Sequence, residues 1–249
     1  MRVLFAGQVP KDPSYPEANE DAYELAVEQG RIALSDGASE SFDSKTWADL
    51  LVRRFVHEPD LGQEWLSGLV FDYLSHFDVA NLSWSKQAAF ERGSFATLLG
   101  VESFPNNASV DVLSVGDSLA VLLDGHTFVD SYPYARSEEF QQRPELFCTS
   151  ATHNTFFYST DFFSNHHKTW EFSDKRFPIL LCMTDALGEW ALRSAQDGNP
   201  KWQQLCSIDD RSQLEALVLN ERANKNIRID DVTLLRVEFV GAKDELPNT

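Results

Sequence analysis

The chain has 249 residues, 43% of them hydrophobic, enough for a full core in one large domain or two small ones. Its net charge of −18, with no basic run or basic helix face, excludes nucleic acid as the main partner. No stretch reaches the roughly 18–20 apolar residues a membrane span needs, and the apolar patch in MRVLFAGQVPKDP is too short for a signal peptide.

Residues 2–8 (RVLFAGQ) read as a first strand. Pro10, Pro13 and Pro16 then impose a loop that ends at Asn19-Glu20-Asp21. Residues 21–28 and 31–36 alternate and meet near Gln29-Gly30, a hairpin pattern. The second of these segments stops on Asp36-Gly37, a strong turn signal. A carboxylate beside an exposed glycine carbonyl is also a good place to hold a hard divalent cation.

Helical spacing predicts helices over residues 41–57 and 62–79, with Trp47, Trp65 and Tyr73 in the core. SFATLLGVESF, ASVDVLSVGD and SLAVLLDGHTFVD follow as short strands with turn residues between them. Residues 131–178 read as irregular, rich in aromatic and polar residues. His153, His166, His167 and Asp161 fall there without the spacing of a zinc site, so they read as loop groups. FPILLCMTD is an apolar strand ending on an acid, residues 185–195 and 209–224 read as helices, and DDVTLLRVEFV is a last strand. The tail after 240 is predicted to be loose. With no regular βα alternation, repeat or linker, the expectation is one α+β domain over 1–249, antiparallel sheets covered by helices.

Cys148, Cys182 and Cys206 are widely spaced and odd in number, which predicts reduced thiols and a cytoplasmic location. The acids are more informative. Glu20, Asp21, Asp36, Asp117, Asp185, Asp230 and Asp231 all fall at the ends of predicted strands. Carboxylates gathered at one sheet edge repel, and a divalent metal pair relieves that repulsion. An all-oxygen set suits Mg²⁺ or Mn²⁺, and two such ions clamp both sides of an in-line phosphoryl displacement.

Six blocks occur in order: NEDAY, LSDGAS, GSFATLLG, LSVGDSLAVL, LLCMTDALGEW and IDDVTLL. Together they resemble the signature blocks of the metal-dependent protein serine/threonine phosphatases of type 2C, in a bacterial-type form, over about residues 2–239. The resemblance implies a sandwich of two antiparallel β-sheets flanked by helix pairs. It implies hydrolysis of phosphoserine and phosphothreonine in proteins by a hydroxide bridging two Mn²⁺ or Mg²⁺ ions, with a third ion in many members. Asp36 would bridge both metals, with the Gly37 carbonyl on one of them. Asp185 and Asp230 would hold the other, Glu20 would bind directly or through water, and Asp117 would serve the third. Asp21, Asp231, Thr184 and Thr233 would support these ligands, while Ser94 and Thr97 would be structural. The implied partners are a phosphoprotein and its serine/threonine kinase.

The sequence departs from the family at several positions. Pro16 stands where the family carries a phosphate-gripping arginine, and the nearest upstream cation, Lys11, is the candidate substitute. Ala38 stands where many eukaryotic members carry a histidine. Leu119 replaces the arginine of one block, and Ala186 the glycine of another. Two rival readings follow: a non-catalytic relative that binds a phosphoprotein or other partner, and a metal-dependent phosphatase of small molecules.

Overall fold

Ile32 and Leu34 face one side of a strand and Ala33 the other, and this two-residue alternation organises the layers of the molecule. The computed structural model describes residues 1–104 and 108–239. The predicted loose tail, 241–249, lies outside the described residues.

One five-stranded antiparallel sheet runs in the order β1 (Arg2–Val9), β12 (Val232–Glu238), β11 (Pro178–Met183), β7 (Leu119–Asp124), β8 (Thr127–Tyr132). The other runs β10 (His167–Glu171), β6 (Ser109–Val115), β5 (Leu98–Ser103), β3 (Arg31–Ser35), β2 (Ala22–Ala26), also antiparallel. A short pair, β4 (Phe95–Ala96) and β9 (Phe147–Cys148), stands apart.

The inner faces meet in one apolar cluster. Leu122, Leu180, Leu235 and Val237 of the first sheet pack with Ile32, Leu34, Leu99 and Val112 of the second. The outward residues of the second sheet, Ala33, Leu98, Leu113 and Val115, lie under α1 (Ser44–His57) and α2 (Gln63–Ser75) through Trp47, Leu51, Leu69 and Tyr73. Those of the first sheet, Val121, Leu181, Met183 and Leu234, lie under α5 (Asp185–Gln196), α6 (Trp202–Cys206) and α7 (Arg211–Ala223). The architecture is therefore helix, sheet, sheet, helix, the α+β sandwich expected from the sequence. Among the described residues no helix is long and apolar enough to cross a membrane.

The reading of 131–178 as irregular needs correction. Within it lie β9, α4 (Phe162–His166) and β10, an edge strand of the second sheet. The aromatics of this stretch are structural: Phe147, Phe157 and Phe162 are buried in the core beneath α1 and α2. The histidines have separate partners. His166 meets the Phe162 carbonyl and the Glu145 carboxylate, each at 2.9 Å, and His167 lies 3.2 Å from Asp111. His153 packs edge-on against Phe95. The sequence reading also left α3 (Trp84–Arg92) and α6 unassigned, and the helix expected over 62–79 stops at Ser75.

Candidate metal centre

Strand register brings the acids together. Ala22 pairs with Ser35, so Asp21 enters β2 beside the point where β3 gives way to Asp36. Leu98 pairs with Val115, which puts Asp117 at that same end. In the other sheet Val9 pairs with Val232, Met183 with Leu234, and Leu119 with Met183. Lys11, Thr184-Asp185 and Asp230-Asp231 thus emerge at a common end. The Glu20 backbone N–H donates to Asp231 Oδ2 at 2.9 Å and so ties the two sheets' ends together, while within the first sheet that of Lys11 donates to Asp231 Oδ1 at 2.7 Å.

Two glycines are needed here. A Cβ on Gly37 would come within 2.9 Å of both the Glu20 carbonyl and Ser44 Cβ. Gly116, with φ +112°, turns the chain into Asp117 at a place where a Cβ would strike Thr97 Cγ2 at 2.5 Å. Thr97 itself accepts from the Asp36 backbone N–H at 2.8 Å and pairs with Ser118 at 2.9 Å. Ser94 bonds to Tyr73 Oη at 2.6 Å. Both residues hold backbone and packing in place.

The carboxylates are electrostatically crowded. Asp21 is buried, and its Oδ2 accepts from Thr233 at 2.6 Å and Thr184 at 3.1 Å while its Oδ1 has no partner. Burial, followed by the charges of Asp231 and Asp230, pushes its carboxyl up to about 8 despite those two bonds. Asp36 is raised well above the ordinary range by burial and then by Asp21, Asp117 and Asp230. Asp117 is raised too, by burial first. Glu20 goes the other way. Burial works against its charge, but bonds from Lys11 at 2.5 Å, Ser39 at 2.5 Å and Ser44 at 2.7 Å outweigh it and hold the carboxyl below its usual value.

A group that the sequence reading missed sits among these acids. The Arg228 guanidinium is ion-paired with Asp185 through Nη2, and its Nε lies 3.6 Å from Asp230. Its only sequence signal was position, a cation two residues ahead of Asp230-Asp231. Ser39 and Ser44 were also missed, because their role depends on the turn after Gly37 bringing them onto Glu20.

Among the described residues, no three His, Cys, Asp or Glu side chains already form a cation cage. The chemistry nevertheless fits a hard divalent ion. The donors are all oxygen, Asp21 Oδ1 and Asp185 Oδ1 are buried without partners, and the carboxyls raised by burial and then by one another are ones a bound cation would restore to the charged form. Asp185 and Asp230 are turned onto Arg228, and Glu20 onto Lys11.

No family model matches the chain, and no curated protein sequence does. Solved structures do. A bacterial serine phosphatase superposes with a TM-score of 0.57 at 16% identity, covering 98% of this chain and 100% of that one. The serine/threonine phosphatase Stp1 from Staphylococcus aureus gives 0.54 at 15% identity, covering 96% of each chain. The serine/threonine phosphatase PstP/Ppp of Mycobacterium tuberculosis gives 0.53 at 15% identity, covering 96% of this chain and 100% of that one. An antiparallel sandwich between helix layers, with acids gathered at one end, is the class of molecule that strand register and topology define. Its particular fold is the one shared with these bacterial serine/threonine phosphatases, the type 2C fold.

Proposed function

We propose that this protein is a metal-dependent phosphatase that hydrolyses phosphoserine and phosphothreonine in proteins, as a bacterial-type member of the type 2C family. The observation that carries the reading is the convergence of Glu20, Asp21, Asp36, Asp117, Asp185 and Asp230 at one end of this fold, with two buried carboxylate oxygens left unpartnered. A binding module has little use for charges so costly to bury.

Asp36 would hold two divalent ions, Mn²⁺ or Mg²⁺, with the Gly37 carbonyl and Glu20 on one side and Asp185 and Asp230 on the other. Asp117 would serve a third. Ions bound there supply charge neutralisation and an acidified water for in-line displacement at phosphorus. The chain's own residues do the positioning. Thr184 and Thr233 fix Asp21, Asp231 anchors the backbones of Lys11 and Glu20, and Ser44 orients Glu20. Lys11, at the rim with its side chain 31% exposed, is the group to meet the phosphate in place of the arginine absent at position 16. The three cysteines, all free, accord with a reducing cytoplasmic setting, and the phosphoprotein would be made by a serine/threonine kinase. The same reading takes the chain as one phosphatase-like domain.

Release of phosphate from a phosphothreonine peptide, assayed with and without Mn²⁺ beside a small aryl phosphate, tests the reading. Metal-dependent turnover of the peptide supports it. Binding of the phosphopeptide without turnover would favour the non-catalytic alternative, and turnover of the aryl phosphate alone a small-molecule phosphatase.

A further inference from the structure

Arg228 lies in the connection between α7 and β12. On one side Ile227 is buried, and on the other Ile229 is exposed, so the backbone is anchored while the arginine side chain reaches across the acidic end. The carbonyl of Asp230 is held separately by Arg222. The Arg228 side chain is 47% exposed, so it can leave the acids for solvent without opening the core. Its partners are Asp185 and Asp230, and its charge also reaches Asp36 and Asp117. The guanidinium thus neutralises the same carboxylates that a divalent ion would neutralise, and both cannot hold them at once.

We infer that Arg228 is an internal counter-cation, which occupies the acidic centre when divalent metal is absent and is displaced outward when metal binds. The inference rests on the metal-centre reading above. An arginine suits the role because its planar fork can pair with two carboxylates and never loses its proton. Linkage then fixes two opposite consequences. Whatever Arg228 contributes to the metal-free form, it subtracts from metal affinity, because the pairing must be broken first. Removing the side chain should therefore tighten metal binding and weaken the metal-free protein.

Titration calorimetry with Mn²⁺ and thermal unfolding in EDTA provide the test on the full chain. Arg228→Gln should bind Mn²⁺ about tenfold more tightly than wild type, or ~1.4 kcal/mol. Its metal-free form should melt at a lower temperature. Lys45→Gln is the charge control, because the Lys45 ammonium bonds to the Glu17 carbonyl rather than to an acid of the centre. It should leave Mn²⁺ affinity unchanged. Nuclear magnetic resonance of the wild type tests the displacement without any variant: saturation with diamagnetic Mg²⁺ should shift the Arg228 Nε–H signal to that of a solvated guanidinium. Wild-type affinity in Arg228→Gln overturns the inference and leaves the metal-centre reading standing. Equal tightening in Lys45→Gln assigns the effect to net charge and also overturns it, as does an Arg228 signal unmoved by Mg²⁺. A wild-type chain that binds neither ion overturns both readings.

Discussion

Thr233 donates to Asp21 at 2.6 Å across 212 residues of sequence, and that one bond joins β12, an interior strand of one sheet, to the entry of the edge strand of the other. Thr233→Val keeps the shape and removes the donor to a buried carboxylate. The variant should lose ~1–3 kcal/mol of stability. Urea unfolding should show a lower midpoint with an unchanged slope. An unchanged midpoint would mean that the bond contributes nothing net.

Asp36→Asn and Asp185→Asn should each reduce Mn²⁺-dependent phosphate release by at least about a hundredfold. Their effects on the metal-free fold should have opposite signs. Asp36 is penalised by burial and then by neighbouring acids, so an amide that cannot ionise removes that cost and should raise the melting temperature at pH 8 by about 2–4 °C per kcal/mol gained. Asp185 is paired with Arg228 and stands in the first turn of α5, so neutralising it should lower the melting temperature. Circular dichroism melts beside a turnover assay check both halves.

The metal-free protein should be more stable in mild acid than at pH 8. Asp21 holds its proton to about pH 8 when folded but releases it near 4 when unfolded. Between those values the folded chain binds more protons than the unfolded one, so unfolding free energy falls as pH rises. The raised carboxyls of Asp36 and Asp117 act in the same direction. Melts in EDTA at pH 5, 6.5 and 8 should decline in that order, and saturating Mg²⁺ should flatten the trend. A rise from pH 5 to 8 without metal would contradict the crowded-acid picture.

Gly37→Ala should destabilise by ~1–3 kcal/mol, because the new methyl meets the Glu20 carbonyl and Ser44 with nowhere to move. It should also displace Glu20, whose Oε1 accepts from Ser44. Weakened Mn²⁺ binding by calorimetry, beyond what the stability loss explains, is the expected signature.

Lys11→Ala should raise KM for a phosphothreonine peptide several-fold, with a smaller effect on kcat, if the ammonium contacts the phosphate equally in the ground and transition states. Unchanged kinetic constants would leave Lys11 as the counter-ion of Glu20 alone. Pro16→Arg should lower KM if the loop keeps the family geometry there.

The strand-end acids were legible in the sequence because each is a local event, an apolar strand pattern that begins or stops on a carboxylate. Asp36 after Ile32 and Leu34, and Asp185 after Leu181 and Met183, needed no knowledge of neighbours. The strands themselves were legible for the same reason. β10 was not, because HKTWE buries only Trp170 and reads as polar; its strand character comes from pairing with β6. α6 escaped because five residues are too few for a helical period. Arg228 escaped for a different reason. Nothing local distinguishes it from a solvated charge, and its meaning arises only when Asp185, more than forty positions earlier, arrives beside it.

The strand order has a consequence for biosynthesis. Among the described residues β1 leaves the ribosome before any other strand, yet its one neighbour in the sheet is β12, made after all the others. Translation at roughly 5–20 residues per second leaves β1 waiting for about 10–50 seconds with its edge unpaired. During that interval Glu20, Asp21 and Asp36 can be assembled on the hairpin that carries them, but Thr233 has not been made. Asp21 therefore lacks its Thr233 donor until β12 clears the exit tunnel. Over the same period the apolar side of β1 is a natural place for a ribosome-associated chaperone to hold.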